Sequence, residues 1–123
     1  MLNQTKVTRQ SATTRKTYLV DLHSQWSVPC VISDSGVSAV NGRKIVKAGT
    51  PITGNLLERG TAFTVDTTAP VGFVVHDVDV TEGSANGAVM LMALVDLSKF
   101  DTDVQAMYTT EVIAAMNRIQ FIK

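Results

Sequence analysis

A chain of 123 residues, 45% of them hydrophobic, is long enough for one domain with its own core and too apolar for wholesale disorder. Lys and Arg together number 11, as do Asp and Glu, so the net charge is zero and general electrostatic attraction to nucleic acid is not expected. A single cysteine, Cys30, excludes an intramolecular disulfide and any zinc site built on a cysteine cluster, and suits assembly in a reducing cytoplasm.

Residues 1–17 carry Lys6, Arg9, Arg15 and Lys16, no acid, and no periodic apolar pattern. They are expected to form a flexible basic arm in front of a single β-rich domain over 18–123. The arm is the candidate contact for a partner surface, with Lys6, Arg9, Arg15 and Lys16 as its binding residues. Residues 66–103 show the opposite bias, with Asp66, Asp77, Asp79, Glu82, Asp96, Asp101 and Asp103 against Lys99. The polar N-terminus shows no signal peptide, and the longest apolar run, Ala88–Val95, is too short to span a bilayer, so a soluble protein is expected.

The first apolar element is Thr17–Leu22, an extended segment. Trp26, the sole tryptophan, follows in a polar stretch; a core or domain-edge anchor is the expected role, a ligand platform the lesser one. Cys30 lies in an apolar run and reads as a buried, inert thiol. From Val28 onward the punctuation is that of short strands. Val37–Val40, Asn41–Gly42 and Arg43–Lys47 predict a hairpin on a type I′ turn, because Asn and Gly both accept positive φ. Gly49 permits a sharp reversal, Pro51 excludes a central strand at that point, and Ala62–Val65 reads as another short strand.

Gly72–Thr81 is predicted as one strand and Ala88–Val95 as its antiparallel partner across a glycine-containing loop. The second strand is apolar on both faces and must be covered on both. The C-terminal helix is one cover. The other is either the chain itself or a neighbouring subunit, in which case Val89, Met90, Met92 and Leu94 are the candidate subunit interface. Beyond Phe100 the apolar spacing changes to three and four: Val104, Tyr108, Val112, Ala115 and Ile119 predict one helix over about 102–117, capped by Asp101, Thr102 or Asp103. Ile119–Ile122 alternates again and suits a closing strand. The fold class is mainly β (α+β): short antiparallel strands, then one helix.

The sequence carries none of the common catalytic constellations. There is no Gly-x-Ser-x-Gly elbow, no phosphate-binding Gly-x-x-x-x-Gly-Lys-Ser/Thr and no Gly-x-Gly-x-x-Gly. His23 and His76 belong to no spaced metal motif. Asp77 and Asp79 would share one face of a strand at a Cα separation of about 6.6 Å, enough for a divalent ion or an acid–base pair. His76 would point away from them, so the strand alone makes no three-ligand site. Two carboxylates on a solvated face is the ordinary reading of that pattern. No enzyme, metal or cofactor is expected.

The segment Gly72-Phe-Val-Val-His-Asp-Val-Asp-Val-Thr-Glu-Gly-Ser-Ala-Asn-Gly-Ala-Val-Met-Leu-Met-Ala-Leu-Val-Asp-Leu97 resembles head-decoration and head-fibre proteins of tailed phages, the capsid cement-like group. Upstream, Val46-Lys-Ala-Gly-Thr-Pro-Ile52 is similar to their Ala-Gly-Thr segment. The two cover roughly residues 43–99; the order and spacing of the motifs carry the likeness. It implies a β-sandwich or β-tulip-like domain on the outer surface of the phage head, assembled in the host cytoplasm. It implies homotrimers at three-fold or quasi-three-fold positions that bind the major capsid protein and brace the shell. So little chain after the helix favours decoration over an elongated fibre. Neither nucleic acid nor membrane is an expected partner. Two other readings stand beside this one: a virion-displayed module binding the host surface or a glycan (a head-fibre base), and a small metal-dependent enzyme using Asp77 and Asp79.

Overall fold

β-Branched and aromatic runs separated by glycine, proline and acidic turns dictate short strands, and short strands dominate the molecule. The computed structural model of the chain describes residues 18–20 and 25–123. Its strands are β1 (Trp26–Ile32), β2 (Ile45–Val46), β3 (Pro51–Thr53), β4 (Thr64–Val65), β5 (Gly72–Val74), β6 (Val78–Asp79), β7 (Ala85–Asp96) and β8 (Ile119–Ile122). A 3-10 turn at Leu97–Lys99 and two short helices, α1 (Thr102–Gln105) and α2 (Thr110–Ala115), connect β7 to β8. The fold is mainly β, with short antiparallel strands and a helical C-terminal segment.

The main sheet runs β1-β7-β5-β3-β4, antiparallel throughout, and β8 joins β7 in parallel. Just before β4, the Phe63 N–H donates to the Val31 carbonyl at 2.7 Å and the Ser33 N–H donates to the Phe63 carbonyl at 2.8 Å. That parallel bridge brings the far end of the sheet back to β1, so the sheet curls until its edges meet. One face packs Ile32, Ile52, Phe63, Val74 and Val89, sealed by Val46 and Val78 of the two-stranded β2–β6 sheet. The other face packs Phe73, Met90 and Val95 under Phe100, Val104, Val112 and Met116 of the helical segment. Pro29 is tolerated in β1 because its missing donor faces away from β7, on the edge where its carbonyl accepts the Arg59 guanidinium at 2.9 Å.

β7 explains why an apolar run can lack alternation. Trp26 pairs with Met92 but Ser27 pairs with Met90, so one step along β1 spans two along β7. Such a bulge reverses which side chains face which way. Ala88 and Met90 before it, and Ala93 and Val95 after it, accordingly reach the same helix-covered cluster. Val89 and Leu91 contribute to the opposite one. The double cover comes from the chain itself. Gly72 permits the β5–β7 contact, since a Cβ there would lie 2.2 Å from the Met90 carbonyl oxygen.

The expected strand over 72–81 is two strands in two sheets. The chain leaves the main sheet at His76 and Asp77, where the Asp77 carboxylate accepts the Ala48 N–H at 2.8 Å. β6 then pairs with β2, with Ile45 opposite Asp79. The Asn41–Gly42 turn forms as expected, with φ of 55° and 78° and reciprocal Val40–Arg43 hydrogen bonds of 2.8 and 3.1 Å. It supports a single bridge, and the residues beyond it pair with β6 instead of with Val37–Val40.

The expected helix over 102–117 is interrupted between Gln105 and Thr110. The Tyr108 hydroxyl donates to the Gly49 carbonyl at 2.5 Å, and the Thr109 hydroxyl accepts the Val112 N–H, starting a new helix. Val104, Val112 and Ile119 are buried as their spacing predicts, while Met116 takes the place expected of Ala115. An aromatic chain links Tyr18, Phe73, Phe100, Tyr108 and Phe121, with successive ring centroids 5.1–5.7 Å apart. The Tyr18 hydroxyl donates to the Val75 carbonyl at 2.7 Å, and burial pushes its pKa above the ordinary phenol range. Leu19 bridges Val95 on the edge opposite β8, so residues 18–20 are pinned to the end of β7.

Candidate interaction surface

Trp26 opens β1 at the bulge, opposite Met92, and opposite residues in a sheet project from the same face. Trp26 is 58% exposed and Met92 39%. The expected anchoring role of the tryptophan in the core is thereby corrected: its ring is largely in solvent. Beside it lies a groove of about 600 Å³, walled by Leu56, Pro70, Val71 and Leu91 and closed by Met116 and Arg118 at the end of α2. Leu57, in the loop that supplies Leu56, is 93% exposed. Ile113 on α2 and Ile122 on β8 add further exposed apolar area.

Exposed tryptophan, methionine and leucine beside an arginine is the composition of a protein-contact surface. Single exposed apolar residues are ordinary, but a groove flanked by several of them is not. The pair Leu56–Leu57, missed in reading the sequence, had a visible signal. Two adjacent leucines sit between Gly54–Asn55 and Glu58–Arg59–Gly60, a turn too short and polar to bury both.

Of the four candidate interface residues, Met92 is exposed and Leu94 half-buried. Val89 and Met90 are fully buried within the chain, which corrects their assignment: no surface of either remains for a neighbour. Both precede the bulge, where β7 has β1 on one edge and β5 on the other. The arm candidates Lys6, Arg9, Arg15 and Lys16 lie outside the described residues.

A second cleft of about 620 Å³ lies between the Val40–Arg43 turn and α1, and includes Asp77 and Asp103. Its charged groups are engaged locally. Arg43 pairs with Asp79, and Lys47 pairs with Asp101 at 3.3 Å and Asp103 at 3.1 Å. Asp79 also accepts the Thr81 hydroxyl at 2.5 Å and its N–H at 2.9 Å. Those Thr81 bonds, with the Arg43 guanidinium, hold its carboxyl down at about 2. A carboxyl that acidic is poorly matched to proton transfer near neutral pH. Asp77 is tied to the Ala48 amide. Among the described residues no group of three or more His, Cys, Asp and Glu side chains could hold a metal ion.

Among the described residues the Asp79 turn is used three times. Asp66 takes the N–H and O–H of Thr68, and Asp96 takes those of Ser98, in the same way as Asp79 takes those of Thr81. All three carboxyls are shifted below the ordinary range, chiefly by the hydroxyl bond. Cys30 is buried and unpaired with any other cysteine, and burial raises its thiol pKa, as an inert role requires. Among the described residues no helix is long and apolar enough to cross a membrane. No known family, curated protein or solved structure matches the chain.

Proposed function

We propose that this chain is a structural protein of a tailed-phage virion, one that binds the major capsid protein and decorates the outside of the head. It acts as trimers at three-fold or quasi-three-fold positions after assembly in the host cytoplasm. The observation that supports this reading best is the Trp26–Leu57–Met92 surface. Trp26 and Leu57 are largely exposed and Met92 is partly so, and apolar side chains of this kind are the usual anchors of a protein contact. The sequence resemblance over roughly 43–99 supplies the setting. The basic arm over 1–17 adjoins Tyr18, which is anchored at the end of β7, and suits an acidic shell surface or an open sheet edge.

Co-sedimentation with expanded, undecorated heads tests the reading. Saturation near one copy per major capsid subunit is the expected result. Saturation at far fewer copies would indicate a fibre base, and no binding would discard the virion role. A second reading, a virion-displayed glycan or host-surface binder, is favoured by the exposed indole of Trp26. Tyr18 and Tyr108, the other polar-tipped aromatics, have their hydroxyls bonded to backbone carbonyls and their rings packed inside. A glycan array with wild type and Trp26→Ala separates this binder from decoration.

A further inference from the structure

Leu57 stands out among the apolar side chains because the loop holding it is not loose. Its N–H donates to the Asn55 side-chain oxygen at 2.9 Å, the Glu58 N–H donates to the Asn55 carbonyl at 2.9 Å, and the Thr61 N–H donates to the Glu58 carbonyl at 3.0 Å. The turn therefore holds the backbone of a leucine that is 93% exposed. A preorganised apolar knob loses little entropy when it is seated. The groove walled by Leu56, Leu91, Trp26 and Arg118 lies immediately beside it, apolar and open.

The charges on knob and groove are opposite. Glu58 flanks the knob and Arg118 lines the groove. Neither forms an ion pair among the described residues. Arg59, the cation next to Glu58, is turned away onto the Pro29 carbonyl. One surface thus carries an apolar projection with an acid and an apolar recess with a base.

We infer that the occupant of this groove is Leu57 of a second copy of the chain, with Glu58 of that copy meeting Arg118. Knob and recess belong to the same chain, so the contact can repeat from copy to copy, and it makes a closed ring where the rotation between copies closes. Trp26 and Met92 flank the seat and are covered when it fills. The inference gives the trimer of the proposed virion role its contact and rests on that role for its setting alone.

Sedimentation velocity of the purified full chain over a concentration series is the test, with head pelleting run in parallel. Wild type is expected to self-associate, and Leu57→Asp to weaken association by on the order of 30-fold with an unchanged fold, as loss of a central anchor does. Glu58→Arg and Arg118→Glu are each expected to weaken it, and the double variant Glu58→Arg with Arg118→Glu to restore it. A wild type that stays monomeric throughout, or Leu57→Asp that associates like wild type, overturns the inference. Failure of the double variant to recover overturns the Glu58–Arg118 pairing. Heads that pellet a monomeric protein would sink this inference and leave decoration standing. An associating protein that ignores heads would do the reverse.

Discussion

Met90 and Met92 stand on either side of the β7 bulge and meet opposite fates. Val89 and Met90 lie between β1 and β5 and are sealed. Leu91–Asp96 lies beyond the bulge, flanked by β8 and by Leu19, and there Met92 reaches solvent beside Trp26. Hydrophobicity therefore does not separate a core methionine from a surface one two residues away. The cover supplied by neighbouring strands does, and the bulge decides which residue each cover meets.

Substitutions across that boundary sharpen the contrast. Met90→Asp should have the largest effect: an unpaired carboxylate in a dry cluster leaves the chain unfolded or costs several kcal/mol, read by urea denaturation. Retention of wild-type stability would show that Met90 is not in the core. Next comes Gly72→Ala. Its Cβ meets a backbone oxygen that cannot step aside, so β5 must separate from β7, and destabilisation of about 2 kcal/mol or more is expected from thermal melts. Amide exchange should rise first along Phe73–Val74 and Val89–Met90, whose pairing the contact maintains.

Met92→Asp should be mild for the fold, about 1 kcal/mol or less, because the side chain is already partly in water. Its effect belongs to association and head binding. Equal destabilisation by Met90→Asp and Met92→Asp would erase the distinction between the two methionines.

Acid gives the smallest and most graded effect. The Asp79 carboxyl sits at about 2 in the fold, against about 3.9 for an unfolded chain. Its folded pKa is depressed, so its stabilisation is present above about pH 4 and lost as pH falls through 2. Asp66 and Asp96 shift in the same direction. Melting temperature should therefore fall between pH 4 and pH 2, and the fall should be shallower in Asp79→Asn. An identical fall in that variant would show that the Asp79 turn does not contribute. Separately, Arg15→Glu with Lys16→Glu should weaken head binding; unchanged occupancy at moderate salt would exclude the arm as a contact.

The sequence by itself determined what depends on neighbours in the chain. Short strands, the Asn41–Gly42 turn, a helical segment after Phe100 and the closing strand at Ile119–Ile122 follow from φ preferences and spacing, both local properties, whereas the Asp101 side chain expected to cap that segment makes no cap hydrogen bond. Tertiary structure alone decided where the Gly72–Thr81 run splits, because the Asp77 carboxylate finds its partner in Ala48, 29 residues away. It alone broke the helix at Tyr108, whose hydroxyl reaches Gly49, 59 residues back. It alone exposed Trp26 and buried Met90. Burial is a property of what comes to lie against a side chain, and for β7 those neighbours come from residues 18 to 20, 26 to 32, 72 to 75 and 119 to 122, stretches far apart along the chain.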